Sequence, residues 1–420
     1  MSGLSDVLVV GGGIAGAAAG YFLGRSGGRV TLLEAERAPG THATGRSAAL
    51  FSEYYGTTVV RELTVASRAF YERPPAGFSP VTALLRPRGV LALGTPDTGR
   101  EFDAAKASGA TAPRPVVELD RDQALALCPA LRPGAFDRAL YKPGARDIDT
   151  DAVLQGFLRG LKAAGGTVVT GARVHGLTFR RGRWHAATAA GEFSAPVVVD
   201  AAGAWADQVA MSAGVAVQGL VSYRRTAALA SLPEDRASAH RASAYRAPAD
   251  RSGRELGRGH PGPPHPRRPG AEGPPDGTAA GVAGWPMIAD VADTFYARPE
   301  SGGLLISPAD ATPVPPGDVR PDDRDVALAL ERFRAVVALP VRHVRRAWAG
   351  LRTSTPDDTP VIGPDPDAPG FCWLAGLGGY GIQTAPAAGA LLAALIAGHE
   401  PPPGLTTAVA GVTPARTGRS

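Results

Sequence analysis

The sequence predicts an α/β fold, in which a doubly wound sheet is joined to a second part with a mixed sheet of the α+β type. Apolar runs at residues 7–10 and 30–33 are continuous, as expected of parallel strands that are buried on both faces. A third such run, at residues 371–375, leads into a glycine-rich turn and a long Ala/Leu segment. With 420 residues the chain exceeds the size of a single hydrophobic core, so we expect two domains.

The first apolar run leads directly into a glycine turn. Gly11, Gly13 and Gly16 have the G-x-G-x-x-G spacing that joins a strand to a helix beginning at a bound pyrophosphate. The first glycine permits the tight turn, the second lets the backbone approach the phosphates, and the third lets the helix pack on the strand. Glu34 ends the next apolar run and can accept hydrogen bonds from a ribose. Strand, turn, helix, strand and acid in this order predict a dinucleotide site.

The choice of dinucleotide depends on two further segments. Residues 39–47 follow Glu34 closely and are rich in Gly, Ser, Thr and Arg, so they can surround the second half of a cofactor with donors. Residues 376–384 form another glycine turn, which leads into the Ala/Leu helix of residues 385–397. The positive end of that helix dipole can face the pyrimidine edge of a flavin, which carries negative charge when reduced. The two motifs together favour FAD over NAD.

Six motifs, in order along the chain, give it a family resemblance. The chain resembles the FAD-dependent D-amino-acid oxidase and glycine oxidase superfamily, and within it the D-arginine dehydrogenase branch. The fold implied is a Rossmann-like FAD-binding domain with a mixed-sheet substrate-binding domain. The motifs are GGGIAG with Glu34, HATGRSAA at His42–Ala49, DIDTDA at Asp147–Ala152, VDAAGAW at Val199–Trp205, WAGLR at Trp348–Arg352 and GLGGYGIQT at Gly376–Thr384.

The resemblance implies a set of residues that bind FAD. No cysteine lies near Gly350, where related sarcosine oxidases attach flavin covalently, so we expect FAD to be held non-covalently. Tyr380 is expected to shape the flavin loop rather than to contact substrate. The implied cofactor-binding residues are Gly11, Gly13, Ile14, Ala15, Gly16, Glu34, Ala35, His42, Thr44, Arg46, Ser47, Ala48, Val174, Gly203, Trp205, Gly378, Gly379, Tyr380, Gly381, Ile382 and Gln383.

Four residues are the candidates for catalysis and substrate binding. An amino-acid substrate brings a carboxylate, which favours bidentate arginines, and Arg225 and Arg352 occupy positions that resemble such arginines in the family. The neighbouring Arg224 could take the role of Arg225. Tyr55 lies after residues 39–47, which we call the flavin-wrapping segment. The resemblance implies that the loop with Tyr55 is a lid that closes over the substrate and excludes water. Tyr296 is expected to wall the pocket, on a strand whose alternation turns Phe295 to the opposite face.

The pattern of apolar residues predicts the remaining elements. Asp149 or Thr150 is expected to cap a helix that ends at Gly165-Gly166. Strands of the substrate-binding part are expected within 216–232 and 286–310. The other predicted elements are helices over residues 57–72 and 322–338, a strand at 90–93 and a meander from 167 to 199.

The domain boundaries follow from these elements and from one segment of unusual composition. Residues 236–279 hold eight prolines, seven glycines, eight arginines and four acids, a net charge of +4 out of the +5 of the chain. Such a segment buries too little apolar surface to order itself, so we predict a disordered insert. The predicted divisions are 1–80, 145–215 and 345–400 for the FAD-binding domain, 81–144 and 216–344 for the substrate-binding domain with its insert 236–279, and 401–420 for a flexible tail.

Composition limits the partners that the protein is expected to have. Outside the insert the chain is nearly neutral, so no nucleic acid is expected as a partner. The apolar runs are too short for an integral membrane segment and lack the basic flank of a signal peptide. Two cysteines form no disulfide framework, which favours a reducing, cytoplasmic location. The histidines show no metal-ligand spacing, so no metal is expected.

The predicted activity is the oxidative deamination of D-amino acids by an FAD-dependent dehydrogenase or oxidase of amino-acid catabolism. Hydride passes from the α-carbon to flavin N5, and electrons pass to a quinone-like acceptor or, less favoured, to oxygen. Gly89 stands where D-arginine-preferring relatives have a glutamate, and Leu50 and Ser52 replace polar lid residues, so neutral or apolar D-amino acids are expected. Glu53 is a candidate substitute carboxylate. Two alternatives stay open: a secondary-amine oxidase, or a flavin-binding remnant disabled by the insert.

Overall fold

A computed structural model of the chain describes residues 5–80, 83–232, 279–341 and 343–416. The predicted insert therefore lies outside the described residues, apart from its last residue, Ala279, which begins a short helix. The described residues alternate between strands and helices along most of the chain.

The strands belong to two large sheets and two small ones. Continuous Val/Leu/Ile runs form strands that are buried on both faces, whereas alternating runs form strands with one exposed face. In chain order the strands are β1 Val7–Val10, β2 Val30–Leu33, β3 Leu50–Phe51, β4 Leu85–Pro87, β5 Val90–Gly94, β6 Val117–Leu119, β7 Arg138–Lys142, β8 Arg146–Ile148, β9 Thr167–Val169, β10 Val174–Arg180, β11 Arg183–Thr188, β12 Gly191–Ala195, β13 Val197–Asp200, β14 Val221–Ser231, β15 Met287–Asp290, β16 Tyr296–Glu300, β17 Gly303–Ser307, β18 Thr312–Pro313, β19 Val344–Ser354, β20 Val361–Pro364, β21 Phe371–Ala375 and β22 Leu377–Gly378.

The helices carry side-chain caps at several of the positions that the sequence indicates. Asp149 accepts a hydrogen bond from the Ala152 N–H and so begins the helix predicted there. Within the described residues, no helix combines the length and the apolar content that crossing a membrane needs. In chain order the helices are α1 Ile14–Arg25, α2 Thr58–Glu72, α3 Gly99–Ala110, α4 Arg121–Leu127, α5 Thr150–Ala163, α6 Ala206–Ser212, α7 Ala279–Val282, α8 Asp323–Val336, α9 Gly381–Ala397 and α10 Ala408–Val412.

The first large sheet is the predicted doubly wound sheet. Its six strands lie in the order β20-β21-β13-β1-β2-β9, and all of its pairings are parallel except that of β20. One face, which includes Val7 and Val9, packs on α1, α5 and α9. The other face, with Leu8 and Val10, packs on the β10–β12 meander and α6. This three-layer arrangement confirms the predicted α/β class and places the carboxyl end of β1 at a helix start.

The second large sheet is mixed, as predicted for the substrate-binding part. Its main path runs β22-β19-β14-β17-β16-β15-β5-β7-β6, with β18 paired to β14. Phe295 and Leu91 pack with α8 and α4 on one face. Tyr296, Val90 and Ala227 lie on the other face, where they pack against Ala48 and Leu50. Phe295 and Tyr296 therefore point to opposite faces, as the alternation predicts.

Two of the predicted boundaries differ from the structure. The flexible tail predicted for 401–420 is wrong for Leu405 to Arg416, because Leu405, Ala408 and Val412 are fully buried. The Arg416 guanidinium also pairs with the Asp357 carboxylate at 3.0 Å. The predicted start of the last FAD-binding stretch at residue 345 falls inside the second sheet, since β19 pairs along its length with β14. The division into two domains otherwise stays a proposal.

Candidate active site

One large cavity, of about 750 Å³, lies between the carboxyl edge of the six-stranded sheet and the inner face of the mixed sheet. It brings together residues from both ends of the chain. All four catalytic candidates line it: Tyr55, Arg225, Tyr296 and Arg352. Of the cofactor-binding candidates, Gly16 and Tyr380 do not line it, while Gly11, Gly13, Ile14, Ala15, Glu34, Ala35, His42, Thr44, Arg46, Ser47, Ala48, Val174, Gly203, Trp205, Gly378, Gly379, Gly381, Ile382 and Gln383 do.

At one end of the cavity the backbone turns so tightly that side chains are excluded. Gly11 has a φ of +107°, and a Cβ there would lie 2.5 Å from the Ala201 carbonyl oxygen. A Cβ on Gly16 would overlap the Gly11 carbonyl oxygen, which explains why Gly16 packs behind the turn instead of lining the cavity. The turn therefore presents backbone N–H groups and the start of α1 to the cavity.

Glu34 and Thr44 fix the geometry of this end. The buried Glu34 carboxylate accepts hydrogen bonds from the N–H groups of Gly12 and Glu36, each at 2.7 Å. The Thr44 hydroxyl accepts a hydrogen bond from the Ile14 N–H at 3.0 Å, so this N–H at the start of α1 already has a partner. Each Glu34 oxygen keeps a lone pair that can accept from the hydroxyl groups of a ribose.

His42 and Arg46 hold the flavin-wrapping segment in place. The His42 ring lies 4.7 Å from the Trp205 ring, and its Nε2 lies 3.1 Å from the Glu36 carboxylate. The Arg46 guanidinium donates to the carbonyl oxygen of Ala349 at 3.2 Å, so it ties the segment to β19. The Arg46 carbonyl in turn accepts from the Trp348 indole at 3.0 Å. The side chain of Arg46 is therefore engaged with protein groups at the cavity wall.

The second glycine turn lies where the two sheets meet. Helix α9 begins after Tyr380 without a side-chain cap, so its first N–H groups are available to a ligand. A Cβ on Gly379 would lie 2.9 Å from the Arg352 guanidinium carbon, so this glycine lets the arginine lie flat on the loop. Gln383 uses its amide to bind the Ser52 backbone and the Thr64 hydroxyl, so it ties Ser52 and α2 to α9.

Two arginines at the substrate end have no carboxylate partner. Arg225 and Arg352 form no ion pair with the residues that the structure describes, and the Nε and Nη1 atoms of Arg225 are buried without a hydrogen-bond partner there. Burial, and then the charge of Arg352, lower the pKa of Arg225. Arg224 points away and pairs with the Asp325 carboxylate at 2.7 Å, so it is not available as the substitute that the sequence left open.

The two tyrosines occupy different positions around these arginines. Tyr55 donates a hydrogen bond from its hydroxyl to the Asp293 carboxylate at 2.9 Å, and its ring packs edge-on against Tyr380 at 5.1 Å. Burial, followed by the charge of Asp293, raises the pKa of Tyr55, which therefore stays protonated and acts as a donor. Tyr296 is buried on the mixed sheet and faces the cavity. The Tyr55–Asp293 bond joins the predicted lid to the turn between β15 and β16.

The structure corrects one candidate and adds two that the sequence reading missed. Glu53, considered as a substitute carboxylate for the distal pocket, is buried outside the cavity and pairs with Arg68 at 2.5 Å. Asp293 and Lys142 line the cavity. Lys142 was detectable in principle, since it lies two residues after the buried Leu140 and so on the same face of a short strand. No strand was predicted there.

Comparisons with known proteins agree with this geometry. A model of the family described as FAD dependent oxidoreductase (DAO) matches residues 6–258 and 271–395. Mitochondrial dimethylglycine dehydrogenase of Mus musculus is 23% identical over 418 residues, which are 95% of this chain and 43% of that protein. The chain thus spans less than half the length of this relative.

Two solved structures share the fold over nearly the whole chain. L-proline dehydrogenase from P. horikoshii superposes with a TM-score of 0.76 at 19% identity, covering 99% of this chain and 98% of that one. Glycine oxidase from Geobacillus kaustophilus superposes with a TM-score of 0.73 at 22% identity, covering 94% and 95%. These likenesses establish the mixed α/β fold of flavin-dependent oxidoreductases for this chain.

FAD is the cofactor of this family, and the cavity fits it. The glycine turn at Gly11 leaves no room for a side chain, so phosphates can approach the backbone and the start of α1. The buried Glu34 suits a ribose, and the uncapped start of α9 suits a flavin ring with negative charge. Both cysteines of the chain, Cys128 and Cys372, are buried away from the cavity, and burial raises the pKa of each thiol to about 12.

Proposed function

The chain belongs to the FAD dependent oxidoreductase family, and we propose that within it the protein oxidises the carbon–nitrogen bond of a D-amino acid. The observation that carries the proposal is the pair Arg225 and Arg352, two half-buried arginines that line one cavity and form no ion pair with the described residues. The Nε and Nη1 atoms of Arg225 are themselves buried there without a hydrogen-bond partner. Buried charges that lack a partner are costly. A ligand carboxylate supplies that partner, and guanidinium groups bind carboxylates with bidentate geometry.

The chain's own residues orient the substrate and exclude water. With the α-carboxylate held by Arg225 and Arg352, the α-carbon lies beside the Gly378–Gly381 turn. Bound FAD supplies the hydride acceptor. The lid residue Tyr55, held by Asp293, covers the site and keeps water from it. The two guanidinium charges and the low polarity of the cavity lower the pKa of the substrate ammonium, which helps it to lose the proton that must leave before oxidation.

A second candidate function is the oxidation of secondary amines. L-proline, named in one of the similar structures, is a secondary amine, and dimethylglycine, named in one of the similar proteins, is a tertiary amine, so both names support substrates with a substituted nitrogen. The same arginine pair would hold the carboxylate of either class, so the carboxylate site alone does not select between them. The third possibility, a flavin-binding remnant without turnover, makes a different prediction: bound flavin that no amine reduces.

The proposed partners are a small-molecule amino acid and an electron acceptor. A quinone-like acceptor, with oxygen as the less favoured choice, stays a prediction, as do the cytoplasmic location and the absence of a nucleic-acid partner. The acceptor is identified by reoxidising the reduced protein with each compound in turn.

The deciding experiment is an anaerobic visible spectrum of the FAD-loaded protein, recorded with D- and L-amino acids, sarcosine and proline. Bleaching by D-isomers with release of ammonia would support the proposed D-amino-acid function. Bleaching by sarcosine or proline alone, with a primary amine or an imine as product, would support the second candidate. A flavin spectrum that no amine bleaches would contradict both.

A further inference from the structure

Lys142 is a cation of the active-site cavity for which the site described above has no use. It is the last residue of β7, and its register partner on β5 is Val90, which also lines the cavity. The buried Leu140 lies two residues earlier and therefore on the same face of the strand. The lysine is partly buried and lies on the cavity face of the mixed sheet instead of in bulk solvent.

Lys142 lies on the side of Tyr296 that is remote from the two arginines. Across the sheet β7 is followed by β5, β15 and β16, whereas β14 and β19, which carry Arg225 and Arg352, lie beyond β17. Three strand spacings separate the backbone of β7 from that of β16 by about 14 Å, and the lysine side chain covers part of this distance. A substrate held by the arginines can direct its side chain, or its N-substituent, along this line.

The ammonium group of Lys142 has no ion-pair partner in the described parts of the chain. Two carboxylates at the end of β15 also line the cavity, but neither lies within ion-pair distance of Lys142: Asp293 accepts from the Tyr55 hydroxyl, and Asp290 accepts from the Thr294 backbone at 2.6 Å. Burial lowers the pKa of Lys142, and the charge of Asp293 opposes this shift. A cavity that partly desolvates an unpaired ammonium favours a ligand that brings an anion to it.

The sign of the charge at this end of the cavity also matters. A Cβ on Gly89 would lie 2.6 Å from the Tyr141 hydroxyl oxygen, so the residue that precedes Val90 brings no side chain and no acid to this end of the cavity. The neighbouring strand contributes a lysine instead. A distal cation on the substrate would therefore be repelled, and a neutral group would leave Lys142 without a partner.

We propose that Lys142 binds a second anionic group of the substrate, so that the preferred substrate carries a further carboxylate at the end of its side chain or N-substituent. This inference rests on the proposed function, and it replaces the neutral distal group expected from the sequence. A compact ammonium on a flexible stem suits a single carboxylate that must arrive and leave at each turnover.

The first test measures binding and needs no turnover. Glutarate and its monoamide have the same length and differ in one charge, and each is titrated into the FAD-loaded protein while the flavin spectrum is recorded. We expect glutarate to bind at least about tenfold more tightly than the monoamide, as a charge-assisted hydrogen bond predicts. Equal dissociation constants would overturn the assignment of Lys142, whatever the substrate proves to be.

Variants of Lys142 test whether this residue causes the difference in binding between glutarate and its monoamide. Lys142→Met should abolish the difference between the two ligands, and Lys142→Arg should keep most of it. Lys162→Met, at an exposed position on α5, is the matched control and should change neither dissociation constant. A preference for glutarate that survives Lys142→Met would assign it to another residue and contradict the proposal.

Turnover separates this inference from the function on which it rests. The values of kcat/KM are compared for glutamate and glutamine, as D- and L-isomers, in the unmodified protein and in Lys142→Met. We expect a glutamate preference of at least about tenfold that the variant loses. If neutral amino acids reduce the flavin and glutamate is no better than glutamine, the role of Lys142 is wrong while the proposed function stands. If no amine reduces the flavin, the proposed function fails, and the glutarate titration still decides the role of Lys142.

Discussion

At the nucleotide end of the cavity the backbone lies against the space that the cofactor fills, whereas at the substrate end long side chains from distant strands line it. The first end is built by one local unit, from Val7 to Glu34, in which glycines leave no room for side chains. The second end collects Tyr55, Lys142, Arg225 and Arg352 from four separate parts of the chain. A site formed by backbone groups tolerates almost no substitution of its glycines, whereas a site formed by side chains can change its charge by substitution without a change of fold.

The largest expected effect is at the nucleotide end. Gly16→Ala places a Cβ against the Gly11 carbonyl oxygen, so α1 must move away from β1. We expect a loss of about 3 kcal/mol or more of folding free energy, with loss of bound FAD, because backbone cannot yield as a flexible side chain does. Flavin absorbance per protein and the Tm measure both. Gly176→Ala, at a glycine with no atom within 4 Å of the new Cβ, is the control. Normal FAD content in Gly16→Ala would mean that the close packing is unnecessary.

The second prediction compares substitutions of two adjacent arginines, Arg225 and Arg224. Arg225→Met removes a guanidinium without a partner in the described structure, so kcat/KM should fall about 100-fold or more while the Tm is unchanged or rises. Arg224→Met instead leaves the Asp325 carboxylate without its partner, so the Tm should fall and kcat/KM should change little. Steady-state kinetics and thermal unfolding of the two variants give the comparison. The reverse pattern would show that Arg224 holds the carboxylate.

A smaller effect is expected at the lid. Tyr55→Phe removes the hydrogen bond to Asp293 and keeps the ring contact with Tyr380. A single hydrogen bond with a net worth of about 0.5–1.5 kcal/mol predicts a rise in KM of about threefold to tenfold, with flavin content unchanged. Tyr380→Phe is the matched control, since it keeps the edge-on ring contact and the hydrogen bond from Tyr55 to Asp293. An unchanged KM in Tyr55→Phe would mean that the hydroxyl does not hold the lid.

The smallest effect is a pH dependence at the nucleotide end. Asp200 is fully buried, one of its carboxylate oxygens has no hydrogen-bond partner among the described residues, and burial raises its pKa well above the ordinary value. The folded state therefore holds this proton where the unfolded state has lost it. Below the pKa of Asp200 in the unfolded state, this residue does not change the free energy of unfolding. As the pH rises from there toward the pKa in the folded state, the free energy of unfolding falls.

Asp200→Asn removes this titration and tests the sign. The Tm of the variant minus that of the unmodified protein should increase as the pH rises above about 4, because only the unmodified protein loses stability through the titration of Asp200. Thermal unfolding at several pH values measures the difference. A Tm difference that does not change with pH would show that Asp200 does not titrate with a raised pKa.

The sequence predicted the nucleotide end well because its elements are contiguous. The spacing of Gly11, Gly13 and Gly16 and the acid at Glu34 identify a strand, a turn and a helix without any knowledge of distant residues. The predicted helices at 57–72 and 322–338 are found at Thr58–Glu72 and Asp323–Val336. The pattern of apolar residues did not predict the strands and helices of residues 95–144, because short elements such as Arg138–Lys142 mix buried and half-buried positions.

The family resemblance identified Arg225 and Arg352 as candidates for binding the substrate carboxylate, but the pairing of strands decided what surrounds them. The register of β14 with β19 sets Arg225 opposite Gly350 and Tyr223 opposite Arg352, so both arginines share a neighbourhood that neither segment shows alone. In the same way, the pairing of Arg68 with Glu53 removed that carboxylate from the cavity. Such choices depend on partners far apart in the chain.

By itself, the sequence predicted the fold class and the dinucleotide-binding motif, because local periodicity and fixed spacings are properties of contiguous residues. The two candidate arginines came from the family resemblance. Only the tertiary structure showed that Lys142 lines the cavity. Lys142 reaches the cavity because β7 pairs with β5, and β5 with β15, across almost two hundred residues of chain. Contacts between residues so far apart in the chain depend on how whole sheets pack, and a short sequence pattern does not predict this packing.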